Sequence, residues 1–258
     1  MSIDLSSLET KGKPKPPRIV IYGSGGIGKT TLAASAPNPV FIQAEDGLGD
    51  IKAARMPLAT TYQDVKDGII ALNDQDHDYK TVVIDSLDWL EPLINKHTCQ
   101  ENGWSSIEDP GYGKGQVAAL GWWRDYINCL NYLRDTKLMT IIQIAHYQIK
   151  RFDAPDTEPY DRYGIKLHKA AAALVQEHSD AVLFANYRVA TTQSDAGFNK
   201  KITRAIGSGE RVIHTNERPQ HMAKNRYGMP DQLPMSWEAI AEHVPFYQPQ
   251  SADVVVAA

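Results

Sequence analysis

Cysteine is scarce in this chain: Cys99 and Cys129 are the only two among 258 residues, and neither belongs to a C-x-x-C motif. A disulfide framework is therefore excluded, and a reducing environment is expected. Long apolar runs are also missing. No segment approaches the roughly 18 apolar residues of a membrane span, and residues 1–17 contain no signal-peptide core. These absences exclude secreted disulfide scaffolds and predict a cytoplasmic protein with no membrane partner.

The chain also lacks a strong excess of either charge, because 27 basic and 31 acidic residues leave a net charge of −4. At first this argues against non-specific binding to nucleic acid. The charges are separated along the chain, however. Residues 43–109 contain 14 acidic and 5 basic residues, whereas residues 197–226 contain 7 basic and 2 acidic ones. Unlike surfaces of this kind allow head-to-tail contact between copies, and the net charge does not exclude DNA.

Short apolar runs of strand length alternate with helical patterns, which predicts βαβ units and a mainly parallel sheet flanked by helices. The predicted strands are residues 18–22, 39–44, 81–84, 139–145 and 180–187. The predicted helices are residues 29–35, 62–72, 86–100, 116–136 and 166–177. Residues 200–206 and 211–215, joined by Gly-Ser-Gly, predict a C-terminal β-hairpin. The expected divisions are a basic, proline-rich arm (1–17), an α/β core (18–215) and a C-terminal segment (216–258).

A phosphate-binding motif, G-x-x-x-x-G-K-[ST], follows the first predicted strand and opens a helix. Glycines let backbone N–H groups surround phosphates, and the helix start adds partial positive charge. Lys29 is expected to reach the β- and γ-phosphates, and the Thr30 hydroxyl to bind Mg²⁺. The predicted nucleotide-binding residues are Gly23, Ser24, Gly25, Gly26, Ile27, Gly28, Lys29, Thr30 and Thr31. The chain is therefore predicted to bind a nucleoside triphosphate.

Two carboxylates complete the predicted catalytic site. Asp85 ends an apolar strand in the manner of a Walker B motif and would hold Mg²⁺ through water. Ser86 follows it, so the residue that orients the attacking water must come from elsewhere. Glu45, at the carboxyl end of the second strand, is the candidate, and the adjacent Asp46 is the alternative. No N-K-x-D motif of GTPases is present; Asn95 begins the nearest miss.

These residues resemble those of the RecA-like recombinase ATPases. The resemblance rests on Gln43-Ala-Glu45, on Asp85-Ser86, and on a strand that ends in His146 where the bacterial recombinase has glutamine. More closely, the chain is similar to the single-strand annealing proteins of the RecA-like group in phages. That similarity covers about residues 18–237 and includes Gly111–Gly115 and Ala223–Pro230. It implies a RecA-like P-loop core using ATP and Mg²⁺, with His146 as a catalytic sensor of the γ-phosphate.

The resemblance also implies two DNA-binding loops, at about residues 103–116 and 147–165. Their basic residues can meet phosphates, and interleaved aromatic rings can stack on bases. Acidic residues outnumber basic ones in the second loop, so contact is expected at its edges. The predicted DNA-binding residues are Lys114, Lys150, Arg151, Arg162 and Lys166. In filaments of this family, cations of one copy reach the neighbour's phosphate, and the candidates here are Lys200, Arg204 and Arg226.

The expected function is an ATP-dependent, single-stranded-DNA-binding recombinase or annealing protein of phage type, acting as a ring or filament in the bacterial cytoplasm. A single-strand-binding protein is a further expected partner. The alternative is a replication-associated ATPase, a helicase or its loader, that acts mainly through protein partners. A small-molecule kinase is disfavoured because no arginine-rich lid segment follows the predicted sheet.

Overall fold

A computed structural model describes residues 12–153, 155, 157–195 and 201–249. Over these residues the chain forms one sheet with six flanking α-helices. The strands are β1 (Arg18–Gly23), β2 (Pro39–Gln43), β3 (Ala54–Arg55), β4 (Thr81–Asp85), β5 (Thr140–Phe152), β6 (Tyr160–Ile165), β7 (Ala181–Asp195), β8 (Lys201–His214), β9 (Lys224–Asn225) and β10 (Gln232–Pro234). The helices are α1 (Lys29–Ala34), α2 (Tyr62–Asp74), α3 (Leu87–Asn102), α4 (Lys114–Lys137), α5 (Lys169–His178) and α6 (Trp237–Ala241). None of these helices is both long and apolar enough to cross a bilayer.

The strand order is β10-β8-β7-β1-β5-β4-β2-β3. The strands from β7 to β3 run parallel, while β8 and β10 are antiparallel additions at one edge. The P-loop strand β1 lies at the centre, between β5 and β7. The predicted fold class, an α/β protein with a mainly parallel sheet flanked by helices, is confirmed.

Alternate residues of the central strands supply two separate cores, because a parallel sheet with helices on both faces buries both sides of each strand. Val20 and Tyr22 face one core, together with buried side chains of α2 to α5. Ile19 and Ile21 face the other, with buried side chains of α1 and α6. This two-sided burial explains why the strands appear in the sequence as continuous apolar runs.

The segment expected to be a long DNA-binding loop, residues 147–165, is instead largely a β-hairpin. Strand β5 continues past His146 to Phe152, and β6 returns antiparallel beside it. Aromatic pairs connect the two strands: the rings of Tyr147 and Tyr163 meet edge to face at 5.0 Å, and those of Phe152 and Tyr160 lie 5.4 Å apart. Such cross-strand pairs stabilise a hairpin.

The predicted C-terminal hairpin has a different arrangement. Residues 201–214 form a single strand, β8, which pairs with β7, and the predicted Gly-Ser-Gly turn lies inside it near a register shift. The antiparallel C-terminal extension is formed instead by β10 beside β8. The expected division at residue 215 is not a break either. Strands β9 and β10 join the sheet, and Trp237 and Ile240 of α6 are buried in its core.

The basic segment before β1 lies against the end of α4. The Nζ atom of Lys15 is 2.8 Å from an Asp135 oxygen, and the Arg134 guanidinium donates to the carbonyl oxygen of Pro16. Behind them, Asp180 accepts from Arg18 at 2.8 Å, and Arg226 lies 3.3 Å from the same carboxylate. This cluster lies at the amino ends of the parallel strands.

Candidate functional site

The P-loop forms one wall of a cavity of about 310 Å³ at the carboxyl ends of β1, β4 and β5. This edge of the sheet is where α/β proteins bind their ligands. Gly26 and Gly28 have φ angles of 74° and 103°, a backbone region that side chains disfavour. The residues lining the cavity are Gly25, Gly26, Gly28, Lys29, Thr30, Thr31, Glu45, Gly47, Ile51, Asp85, Ile144 and His146.

Lys29 is buried beneath the loop. Its ammonium group donates to the carbonyl oxygens of Gly23, at 3.2 Å, and Ser24, at 2.9 Å. Burial lowers the pKa of Lys29, while the nearby carboxylate of Asp85 opposes this shift. The ammonium has three donors, and phosphate oxygens within the loop are stronger acceptors than backbone carbonyls. The geometry therefore suits a lysine that binds phosphate.

Thr30 and Asp85 form the part of the site that fits Mg²⁺. The Thr30 hydroxyl donates to Asp85 Oδ2 at 2.9 Å. Burial raises the pKa of Asp85, and the hydrogen bond from Thr30 counteracts that effect. Hydroxyl and carboxylate oxygens are ligands that Mg²⁺ accepts, with phosphates and water completing its octahedral shell. No group of three or more His, Cys, Asp or Glu side chains able to hold a metal occurs in the described ranges, so a bound Mg²⁺ would need those phosphates and waters.

Glu45 lines the cavity two residues beyond β2. Its backbone N–H donates to the carbonyl oxygen of Asp85 at 3.1 Å, and its carboxylate accepts from the Ser86 hydroxyl at 3.0 Å. These bonds hold the carboxylate beside the Walker B strand, where it can accept a proton from water or orient it. Asp46, the alternative, is exposed and is not among the residues lining the cavity. Geometry therefore favours Glu45.

His146 reaches the cavity from β5, opposite Gly23 of the P-loop strand. Its ring Nδ1 lies 2.9 Å from Asp88 Oδ2, and its backbone N–H donates to Asp88 Oδ1 at 3.0 Å. Burial alone would raise the pKa of Asp88, but the hydrogen bonds from His146 outweigh it and lower the pKa to about 2. Asp88 is therefore a carboxylate that only accepts, and the ring must donate through Nδ1. Nε2 is left facing the P-loop, 4.0 Å from where a side chain on Gly25 would begin.

Sequence reasoning missed three residues of this site. Asp88 and Ser86 follow Asp85 closely, and an Asp-Ser-x-Asp pattern after an apolar strand was a usable signal. Arg211 had none. It lies on β8, yet its guanidinium donates to the carbonyl oxygen of Ile27 in the P-loop at 3.3 Å. A contact across 184 positions of sequence cannot be inferred from spacing.

The predicted DNA-binding residues do not form one surface. Lys150 donates to the carbonyl oxygen of Leu167 at 2.9 Å, and Arg162 is paired with Glu217 at 2.7 Å and stacked over Phe152. Both are thus largely occupied within the fold. Arg151 is 64% exposed on the hairpin, with Asp153 at 3.5 Å, and Lys166 is 59% exposed at its base.

Lys114 is the remaining member of that set and is exposed at the start of α4. The loop before it is held by Asp109, whose carboxylate accepts from the backbone N–H groups of Ser105 and Ser106. Tyr112 in the same loop is fully exposed, with a left-handed backbone. This loop therefore presents an aromatic ring and a cation together.

The three candidates for action in trans are only partly described. Lys200 lies outside the described residues, and Arg204 is on β8 opposite Thr192. Arg226 is bound to Asp180, at the amino ends of the strands, and is therefore distant from the P-loop of its own chain. A contact of Arg226 with the nucleotide of the same chain is excluded by this position.

Comparison with known proteins gives a family match, and the similar proteins include a curated relative and a solved structure. The family described as AAA domain matches residues 15–227. A curated relative, the SPbeta prophage-derived uncharacterized protein YorG of Bacillus subtilis (strain 168), is 24% identical over 112 residues. Those residues are 42% of this chain, and the chain spans only 33% of that protein's length. The crystal structure of the RadB recombinase is 15% identical, with a TM-score of 0.43 over 82% of this chain and 87% of that one.

Proposed function

The chain belongs to the AAA domain family, and from that membership and the cavity we propose that it hydrolyses ATP and couples the reaction to binding of single-stranded DNA. Family membership itself supports a P-loop nucleoside triphosphatase. ATP, Mg²⁺ and DNA are the further parts of the proposal. The prophage origin of the curated relative fits a phage recombination or annealing role.

One observation carries the proposal: strand β5 serves both the nucleotide cavity and the β5–β6 hairpin, on which Arg151 and Lys166 are exposed. His146 lines the cavity, and the same strand continues without interruption into the hairpin arm that bears Arg151. The returning strand ends at Ile165, and the backbone N–H of the next residue, Lys166, donates to the carbonyl oxygen of His146 at 2.9 Å. A change in the cavity therefore has a direct covalent and hydrogen-bonded route to the exposed cations Arg151 and Lys166.

In the proposed reaction the protein positions charge around the triphosphate. P-loop N–H groups and Lys29 bind the phosphates, and Thr30 and Asp85 would hold Mg²⁺, which when bound would supply positive charge beside the phosphates. Glu45 orients the attacking water, with Ser86 fixing the direction of its carboxylate. His146 contacts the γ-phosphate through Nε2, because Asp88 fixes the other side of the ring.

The proposed DNA surface is narrower than the sequence indicated. Arg151, Lys166 and Lys114 are exposed and available to phosphates, whereas Lys150 and Arg162 support the hairpin from within. Tyr112 is the exposed ring on which a base can stack without sequence preference. Assembly into a ring or filament would bring several such surfaces together, with Arg204 and Arg226 as candidates for contacts between copies and a single-strand-binding protein as a further partner.

The test is a salt titration of binding to single-stranded DNA with Mg²⁺ and a non-hydrolysable ATP analogue, followed by fluorescence anisotropy. We expect binding at about 50 mM salt, with a logarithm of affinity that falls linearly with the logarithm of salt concentration. Lys137→Ala, a basic residue at the amino-end edge of the sheet, is the matched control for hairpin variants. Absence of DNA binding under these conditions would remove the recombinase proposal.

An apolar groove favours the alternative, an ATPase acting through protein partners. It lies between α2 and α4 and has a volume of about 460 Å³. Ile70 and Tyr132 in this groove are 40% and 59% exposed. If DNA binding fails while ATP hydrolysis is present, a partner at this groove becomes the better explanation.

A further inference from the structure

Asp88 contacts both His146 and Lys166, although it is not among the residues that line the cavity. Its side chain is only 2% exposed. It accepts from the ring and from the backbone N–H of His146, and the ammonium group of Lys166 lies 3.6 Å from Oδ2. His146 begins the outer part of β5, and Lys166 directly follows β6, so one carboxylate meets both roots of the hairpin.

We propose that Asp88 is a positioning residue that makes the β5–β6 hairpin respond to the nucleotide: it holds the His146 ring against the P-loop and ties Lys166 to the same carboxylate. The inference rests on the proposed function in taking the cavity as an ATP site. It does not require that the hairpin binds DNA.

The chemistry follows from the hydrogen-bonding roles of each group. Asp88 can only accept, and His146 donates to it through Nδ1, so Nε2 points to the cavity side. The ring therefore lies between the Asp88 carboxylate on one side and the space for phosphate oxygens on the other. Movement of the ring toward phosphate then changes its hydrogen bond to Asp88, and with it the attraction between the Asp88 carboxylate and the Lys166 ammonium group.

A second carboxylate near Asp88, Glu91, allows the role of Asp88 to be tested against a control. On the other side of Asp88 lies an open groove of about 470 Å³, lined among others by Glu91, Lys150 and Lys166. Glu91, one turn further along α3, accepts from the backbone N–H of His168 at 2.9 Å. Like Asp88, Glu91 lies on α3, lines this groove and accepts a hydrogen bond from a backbone N–H group. Its described contacts do not include His146. This makes Glu91 a matched control.

The experiment is hydrogen exchange of the backbone amides of the hairpin, with and without Mg²⁺ and a non-hydrolysable ATP analogue. In the wild-type chain we expect the analogue to change exchange rates of β5 beyond His146 and of β6 by about 5-fold or more, the lower end of ordinary coupling between sites. Asp88→Asn should still bind the analogue, yet the change in the hairpin should fall below about 2-fold.

Two further variants separate positioning from a general structural effect. Glu91→Gln should keep the full hairpin response. Lys166→Gln leaves the His146–Asp88 pair in place, so it should abolish the response in β6 while β5 still responds. This variant keeps the test decisive if Asp88→Asn unfolds. In steady-state hydrolysis, Asp88→Asn should lower kcat by about 10- to 100-fold with little change in KM, since only the position of a catalytic group is lost. Asp88→Glu should restore part of both signals.

An unchanged hairpin response in folded Asp88→Asn, or an equal loss in Glu91→Gln, would overturn the inference. This outcome is distinct from failure of the proposed function. If the hairpin responds to the analogue but no DNA binds, the DNA proposal falls and the role of Asp88 stands. If DNA binds and the hairpin response is independent of Asp88, the reverse holds.

Discussion

Arg211 lies in the space that a side chain at position 28 would fill. A Cβ on Gly28 would be 2.8 Å from Nη1 of Arg211, and Gly28 also has a φ angle of 103°. The positive φ favours glycine at this position, and a side chain here would also displace the guanidinium of Arg211. Through its bond to the Ile27 carbonyl oxygen, Arg211 fixes the outer side of the loop whose inner side meets phosphate.

Arg211→Ala should weaken nucleotide affinity by roughly fivefold to tenfold, the usual effect of losing one charge-assisted hydrogen bond that preorganises a binding loop. The measurement is titration with a fluorescent ATP analogue. Arg188→Ala, on the neighbouring strand and paired with Glu210, should leave affinity unchanged. Equal affinities for wild type and Arg211→Ala would show that the loop holds its shape without Arg211.

Glu45→Gln should retain ATP binding while hydrolysis slows by about 100-fold or more, because the amide cannot accept a proton from water. Asp46→Asn is the control, since Asp46 is adjacent in sequence but exposed and away from the cavity lining. Single-turnover hydrolysis and analogue binding are measured side by side. A large loss in Asp46→Asn with none in Glu45→Gln would reverse the assignment.

Arg151→Ala and Arg162→Ala should behave differently, although both are basic residues of the hairpin. Arg151 is exposed, so its loss should reduce the slope of log affinity against log salt by about 1 without lowering stability. Arg162 is only 19% exposed and is bound to Glu217 and Phe152, so its loss should lower the thermal midpoint. Equal salt slopes for Arg151→Ala and wild type would place the DNA elsewhere.

Stability should fall as pH decreases from about 6.5 to about 4, in part because of a ring cluster beneath the hairpin. His214 stacks with Phe184 at 5.8 Å and meets His221 at 4.6 Å. Burial, with His221 adding to it, lowers the pKa of His214 to about 4. Between these pH values the unfolded chain therefore binds a proton that the folded chain does not, and unfolding is favoured as pH falls.

The measurement is urea unfolding at a series of pH values. His214→Phe keeps the ring stack but removes the titrating group, so the free energy of unfolding should fall less steeply with acid. The difference should be below about 1 kcal/mol per pH unit, allowing for the partial exposure of the ring. A His214→Phe slope equal to that of wild type would contradict the assignment.

Local pattern was enough to predict the central strands, five helices and the P-loop, because two-sided burial and the glycine motif both act over short stretches of sequence. Residues after His146 were harder. There the resemblance suggested a loop, while the alternation of Tyr147 and Ile149 with polar neighbours already matched a half-buried strand. The Gly-Ser-Gly sequence of β8 looked like a turn. In the structure it lies within the strand, next to a shift in the register of the pairing with β7. In β8, long-range pairing outweighed a local turn signal, whereas after His146 the local pattern agreed with the structure and the resemblance did not.

The residues of the candidate site also divide into those that a local pattern predicts and those that depend on long-range packing. Residues within one motif or at a strand end were found, because parallel strands bring their carboxyl ends together whatever the details of packing. Arg211 was not, since its place beside Ile27 depends on how β8 lies against β7. The roles of Lys150 and Arg162 also depended on partners, Leu167 and Glu217, that only the folded chain brings beside them.

Strand β5 has mechanical consequences that its role in the sheet does not suggest. From His146 to Phe152 the strand covers about 20 Å at 3.3 Å per residue, with its partner β6 bonded alongside. Its inner half is held between β1 and β4, and its outer half pairs with β6. Strand β6 is bonded in turn to the segment before β9, because the backbone N–H of Tyr163 donates to the carbonyl oxygen of Gln220 and the Tyr163 carbonyl oxygen accepts from Met222. A displacement of His146 would therefore be shared by β5, β6 and this third segment.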